Sequence, residues 1–190
     1  VTSHLTTEKT SGGSPINLSF GFQWLIANAA GFAIGMAIRQ FMFGLGSWAI
    51  NPFVIGAVIG STIGIVQIFN LQHLYQPAWW WILSNTVGWT LSWGLIDQQI
   101  GFFVLGLGIT QFSMVRGAMA GLLSGLIQWL ILRQQYRRPG WWVPANAVGW
   151  SAGMAVGITV GGPFGWPLVG AVSGIISGLP LAWILKTEKE

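Results

Sequence analysis

Apolar residues run along this chain in six long blocks separated by shorter polar or mixed stretches. The blocks cover about residues 20–38, 52–69, 79–96, 113–132, 141–160 and 167–185. Each approaches the roughly 20 apolar residues that carry a helix across a bilayer. Glycine recurs within them, which would weaken a helix in water but is common in membrane spans. In hydrocarbon no water competes for the backbone N–H and C=O groups, so helix is the forced conformation. Two further stretches, 41–50 and 98–112, are too apolar for plain loops and are expected to be interfacial or re-entrant. The first 19 residues are polar and read as an N-terminal tail with no cleavable leader. Starting at Val1 rather than Met, the chain is expected to lack a residue or more at its beginning. Residues 20–186 then form the transmembrane domain, and 187–190 form a short C-terminal tail.

The polar and small positions inside the blocks repeat. The odd blocks share W-x3-N-x2-G-[FW]-x2-small. It runs Trp24, Asn28, Gly31, Phe32, Gly35; then Trp81, Asn85, Gly88, Trp89, Ser92; then Trp142, Asn146, Gly149, Trp150, Gly153. The even blocks share G-x3-G-x3-G, at Gly56, Gly60, Gly64, at Gly117, Gly121, Gly125 and at Gly170, Gly174, Gly178. Gln67 and Gln128 follow the first two of these by three residues; Leu181, after Pro180, stands at the third. The predicted fold is therefore all-α and integral to the membrane. It is a six-helix bundle of three tandem parallel helix hairpins (about 20–69, 79–132 and 141–185) around a pseudo-threefold axis along the membrane normal. Glycines four apart share a helix face and let a neighbour approach closely, so the bundle is expected to be tight.

Composition supports a lipid environment. Of 190 residues, 53% are hydrophobic and 6% charged, against about a quarter charged in soluble domains. That excludes an ordinary soluble enzyme and a disordered chain, and the absence of cysteine excludes a disulfide-stapled domain. The net charge of +4 lacks the clustering that nucleic-acid phosphates require, so no nucleic-acid partner is expected. It fits topology instead. Lys9, Arg133, Arg137, Arg138, Lys186 and Lys189 fall on one side, Arg39 and Arg116 on the other, which places both termini in the cytoplasm. Trp24, Trp79, Trp80, Trp81, Trp129, Trp141, Trp142 and Trp183 fall at that same level and read as an interfacial belt.

Few polar residues remain. Asn28, Asn85 and Asn146 lie one turn inside the tryptophans, at the depth of Gln67 and Gln128. They read as an interhelical clasp or, alternatively, as a ring of amides around the axis that coordinates a polar solute, a head group or a pigment. With Leu181 in place of a third glutamine, Asn146 is expected to bond elsewhere, to backbone freed by Pro144 or Pro180. Asp97 and Arg116 form a candidate salt bridge, with Arg39 as a rival partner. No second acid or histidine accompanies Asp97, which argues against a proton relay. His73 lies in a turn; it reads as solvated, or as a weak candidate ligand for the magnesium of a chlorophyll. No metal site, paired carboxylates, nucleophile–base pair or phosphate loop is legible, so no catalytic residue is assigned and an enzyme is not expected.

The runs GLIQWLILRQQYRRPGWWVPANAVGW (Gly125–Trp150) and WWWILSNTVGW (Trp79–Trp89) resemble tandem QW-x-x-LR … WW-x-x-A-x-x-x-GW repeats. Such repeats occur in uncharacterised polytopic membrane proteins of cyanobacterial type. The resemblance covers most of residues 20–185 and departs most in the first repeat, where Trp24 stands alone. It implies a thylakoid or plasma (inner) membrane and carries no activity. The leading expectation is a non-enzymatic accessory or assembly subunit of a photosynthetic or energy-transducing membrane complex, contacting lipid, pigment (chlorophyll or carotenoid, if the complex is photosynthetic), other membrane subunits or further copies of itself. The alternative is a carrier or channel for a small neutral solute along the pseudo-threefold axis. A third expectation is a lipid-binding, membrane-shaping homo-oligomer.

Overall fold

A computed structural model describes residues 18–44, 51–72, 79–97 and 106–187. Six α-helices carry nearly all of them: α1 (Leu18–Gly44), α2 (Pro52–Leu71), α3 (Trp79–Leu95), α4 (Ile109–Leu132), α5 (Trp142–Val160) and α6 (Gly162–Ile184). A single 3₁₀ turn, Pro139–Trp141, leads into α5. No β-strand occurs among the described residues. Residues 41–44 continue α1 and residues 109–112 open α4, so these parts of the two ambiguous stretches are helical. The remainder of both stretches, 45–50 and 98–105, lies outside the described residues.

Local chemistry sets several helix ends. Asn51 accepts the Phe53 N–H at 2.9 Å through its side chain, and Pro52 occupies the first turn, where its missing N–H costs nothing. Between α5 and α6 the chain reverses across Gly161 alone. That turn holds Gly161 and Gly162 at φ 68° and 60°, a left-handed backbone that any side chain would strain.

Each helix packs on its neighbours in the chain, and α6 returns to α1, closing a ring of six. Glycine makes the seams close. An ideal Cβ on Gly60 of α2 would sit 2.5 Å from the Asn85 carbonyl oxygen of α3. Gly121 of α4 meets the Asn146 carbonyl of α5, and Gly170 of α6 meets the Asn28 carbonyl of α1, in the same manner. The other three seams use glycines of the odd helices. A Cβ on Gly31 would lie 2.7 Å from the Ile63 Cα, one on Gly88 2.5 Å from the Ser124 nitrogen, and one on Gly149 3.1 Å from the Ser173 carbonyl oxygen. Backbone therefore lies on backbone at all six seams, the packing by which helices associate where lipid removes the hydrophobic drive.

Every helix except α3 is long and apolar enough to cross a membrane. With 17 residues, α3 is about 26 Å long, a little under a hydrocarbon core of about 30 Å. Phe22, Phe41, Phe69, Phe164 and Leu179 stand outward on the bundle, each more than 60% exposed. Apolar surface of that extent has no place against water. The architecture is that of an integral membrane protein.

Candidate functional site

The middle of the bundle is built in layers by the odd helices, whose inward residues recur every fourth position. Trp24, Trp81 and Trp142 form the first layer. All three are buried, with ring centroids 6.2 Å (24–81), 6.1 Å (24–142) and 5.7 Å (81–142) apart. One turn deeper lie Asn28, Asn85 and Asn146, also buried. Another turn deeper Phe32, Trp89 and Trp150 close a second aromatic triangle, at 5.6, 5.9 and 4.8 Å. Such ring pairs add about 0.5–1.5 kcal/mol each beyond the area they bury.

This corrects one expectation. Of the eight tryptophans assigned to the interface, Trp24, Trp81 and Trp142 instead point into the protein, whereas Trp79, Trp80, Trp141 and Trp183 are exposed. By sequence alone all eight fall at one depth. Rotation about the helix axis separates them, because neighbouring residues on a helix point about 100° apart.

The amides are tied to the first aromatic layer. Gln67 donates from Nε2 to Asn28 Oδ1 at 2.9 Å, and its Oε1 accepts from Trp81 Nε1 at 2.8 Å and from Asn85 Nδ2 at 3.0 Å. Three helices, α1, α2 and α3, thus meet on one glutamine. Asn28 Nδ2 donates to the Trp24 carbonyl and Asn85 Nδ2 to the Trp81 carbonyl, each one turn back. Gln128 Oε1 accepts from Trp142 Nε1 at 2.8 Å and from Asn146 Nδ2 at 3.4 Å. Asn146 Nδ2 also lies 3.2 Å from both the Gly121 carbonyl and Ser124 Oγ.

Asn146 is therefore bonded through α4, not through backbone freed by Pro144 or Pro180. A clasp was expected within each hairpin or between neighbours; Gln128 makes the second kind, serving the asparagine of the helix after its own. Of the three seams that lead from an even helix to the next odd one, the closing seam between α6 and α1 is the one without a glutamine. There Leu181 is buried, and Trp24 Nε1 donates to Ser177 Oγ at 3.1 Å. Ser124 and Ser177 were not singled out from the sequence, although both directly precede the third glycine of the G-x3-G-x3-G motif. That shared register was a usable signal. None of the five amide side chains has a buried atom left without a partner.

Arg39, Asp97 and Arg116 gather at the other end of the bundle from Arg137, whose N–H bonds the Thr187 carbonyl. Arg116 Nη1 lies 3.2 Å from both carboxylate oxygens of Asp97. The pair is largely buried, with side chains 14% and 23% exposed. The Ser92 hydroxyl donates to the Arg116 carbonyl at 2.7 Å and fixes α4 on α3 at this level. The Arg116 guanidinium sits 3.8 Å from the centroid of the Trp93 ring. Arg39 approaches the same ring at 5.8 Å and Phe43 at 4.7 Å. Arg39 thus shares an aromatic platform with Arg116 and is not hydrogen-bonded to Asp97. Trp93, unremarked in the sequence, is the centre of this cluster. His73 lies outside the described residues. Among the described residues, no three His, Cys, Asp or Glu side chains come together in a way that could hold a metal ion.

The chain matches no protein-family model, no curated protein and no solved structure. Its function is read from the bundle alone.

Proposed function

We propose that this protein is a six-span, non-enzymatic membrane subunit that supports the assembly of a larger membrane complex through its outer faces. In this reading α3 crosses the membrane with the other five helices, and the helices form three tandem hairpins around a pseudo-threefold axis. The observation that carries it is the packed centre. Two aromatic triangles fill the axis, and the amides between them bond to one another, to indoles and to backbone. For contact with other subunits the bundle offers its outside, where large apolar side chains and the stacked pair Trp79–Trp80, 4.1 Å apart, are exposed. Such faces suit lipid, chlorophyll or carotenoid, helices of other subunits, or a second copy of the chain. A thylakoid or plasma (inner) membrane, with both termini cytoplasmic, is the proposed setting.

The test is isolation from the native membrane in mild detergent, with identification of all that accompanies the protein and a visible absorption spectrum. Co-purifying subunits, lipids or pigments are the expected result. A lone, colourless bundle would overturn the reading. The carrier alternative requires a path along the axis, where the rings of Trp24, Trp81 and Trp142 now meet. Solute flux into liposomes that appears only with the protein would restore it.

A further inference from the structure

Beneath the Phe32–Trp89–Trp150 layer, the bundle holds a cavity of about 270 Å³. Phe32 and Met36 of α1, Trp93 of α3, Arg116 of α4, Met154 of α5 and Trp166 of α6 contribute to its wall, so five of the six helices meet there. Its volume is near the lower end of ligand pockets, about 300–1,000 Å³. Apolar and sulfur-bearing side chains make most of the lining, and the two methionines can adapt to an irregular occupant.

The charge in and behind this wall is out of balance: Arg116 and Trp93 line the cavity, and Arg39 stands behind them. Arg116 and Arg39 both sit on the Trp93 ring, and Asp97 is the one acid paired with them among the described residues. One positive charge is left in excess. The Nε atoms of both arginines and Trp93 Nε1 are buried without a hydrogen-bond partner. Three N–H donors at one ring therefore lack an acceptor, and among the described residues only Trp89 Nε1 and Ser173 Oγ share that state. Buried unsatisfied donors are uncommon and call for a cause, an unseen ion or ligand among them. Charged groups within a membrane domain point the same way. An anionic oxygen group supplies both missing quantities, negative charge and acceptor lone pairs, and guanidinium groups bind carboxylate and phosphate well.

We propose that this cavity binds an amphiphile with an acyl chain and an anionic head group. The head lies against Arg116, the excess charge of Arg39 adds to its attraction, and the chain lies along Phe32, Met36, Met154 and Trp166. The same chemistry could come from a free fatty-acid anion or from an acidic phospholipid, and the proposal does not rest on the assembly role given above.

Native mass spectrometry of the full chain, released from neutral detergent, tests it with four probes: dodecanoate, dodecyl phosphate, dodecanol and inorganic phosphate. The expected result is saturable one-to-one binding of an anionic amphiphile at least about tenfold tighter than dodecanol. Preference for dodecanoate assigns the site to a fatty-acid anion, and preference for dodecyl phosphate assigns it to a phospholipid head; equal binding supports the shared chemistry. Arg39→Gln leaves the Asp97–Arg116 pair in place, so the protein should still fold. It should weaken dodecanoate several-fold and leave dodecanol unchanged. Arg116→Gln should abolish the preference for an anion. Dodecanol binding as tightly as the anions, no saturable binding, an anion preference untouched by Arg39→Gln, or inorganic phosphate competing on its own would each overturn the proposal.

Discussion

Gly60 offers the sharpest measure of how tightly this ring is closed. A methyl group there would stand 2.5 Å from the Asn85 carbonyl oxygen and 2.8 Å from both the Asn85 carbonyl carbon and the Thr86 Cα. Ordinary contact begins at 3.4 Å, so in Gly60→Ala α2 and α3 must part by about 0.9 Å. All three obstructing atoms are backbone, and no rotamer change relieves them. A gap of 0.5–1 Å forfeits about a quarter to a half of the dispersion energy of the atoms it separates, and overpacking of this kind costs about 1–3 kcal/mol. Parting also strains the bonds from Gln67 to Trp81 and Asn85, which cross the same seam. At about 2 kcal/mol the melting temperature should fall by about 4–8 °C for a domain of this size. Gly21 is the control, since it lies in α1 with nothing within 4 Å of its virtual Cβ. Gly21→Ala should be neutral or stabilise by up to about 1 kcal/mol, as an alanine gains in a helix. Thermal unfolding in one mild detergent, followed by tryptophan fluorescence and near-ultraviolet circular dichroism, compares the two. If Gly60→Ala melts with the parent, or if Gly21→Ala falls as far as Gly60→Ala, backbone contact is not what closes the seam.

Three other outcomes follow from the same contacts. Gln67→Leu leaves the Trp81 indole N–H and the Asn28 Oδ1 without their glutamine partner and should cost about 1–3 kcal/mol; Gln128→Leu, whose second bond is long at 3.4 Å, should cost less, and equal losses in detergent melts would contradict the assigned network. Asp97→Asn strands Arg116 in a largely buried site and should destabilise by about 3 kcal/mol, while the double variant with Arg116→Gln should recover part of that loss; a double variant worse than the sum of the singles would refute the pairing. The sequence has no cysteine, so single cysteines report topology directly. Gly140→Cys should react with a membrane-impermeant maleimide from the cytoplasmic side and Gln111→Cys from the opposite side, and the reverse pattern would invert the proposed orientation.

Much of the helical plan could be read from residue order, because membrane spans are fixed by length and hydropathy and these are properties of the chain alone. Six apolar blocks correspond to α1–α6, with five long enough to span and α3 shorter. The spacing of four between glycines in α2, α4 and α6 also marked contact faces before any contact was known, since residues four apart share a face in any α-helix. Partner choice was not legible. Spacing says that Gly60 faces a neighbour, but only the closed ring makes that neighbour the Asn85 backbone. Gln128 could have served Asn85 or Asn146, which share one sequence motif; the order of helices around the ring selected Asn146.

The tryptophans separate the two kinds of information most clearly. Their depth follows from the sequence, and Trp80 and Trp81 are nearly equal in it. Yet Trp80 is exposed while Trp81 is buried against Trp24 and Trp142. The direction in which a helix turns its face depends on all its neighbours at once. The same holds for Trp93, which nothing in the local sequence distinguishes from its fellows. Bringing α1 and α4 beside it placed two arginines on one indole ring with a single carboxylate between them. The sequence by itself determined the solvent, the helices and their small-residue faces. The tertiary structure decided which rings fill the axis and where charge is left uncompensated, because both depend on pairs of residues far apart in the chain.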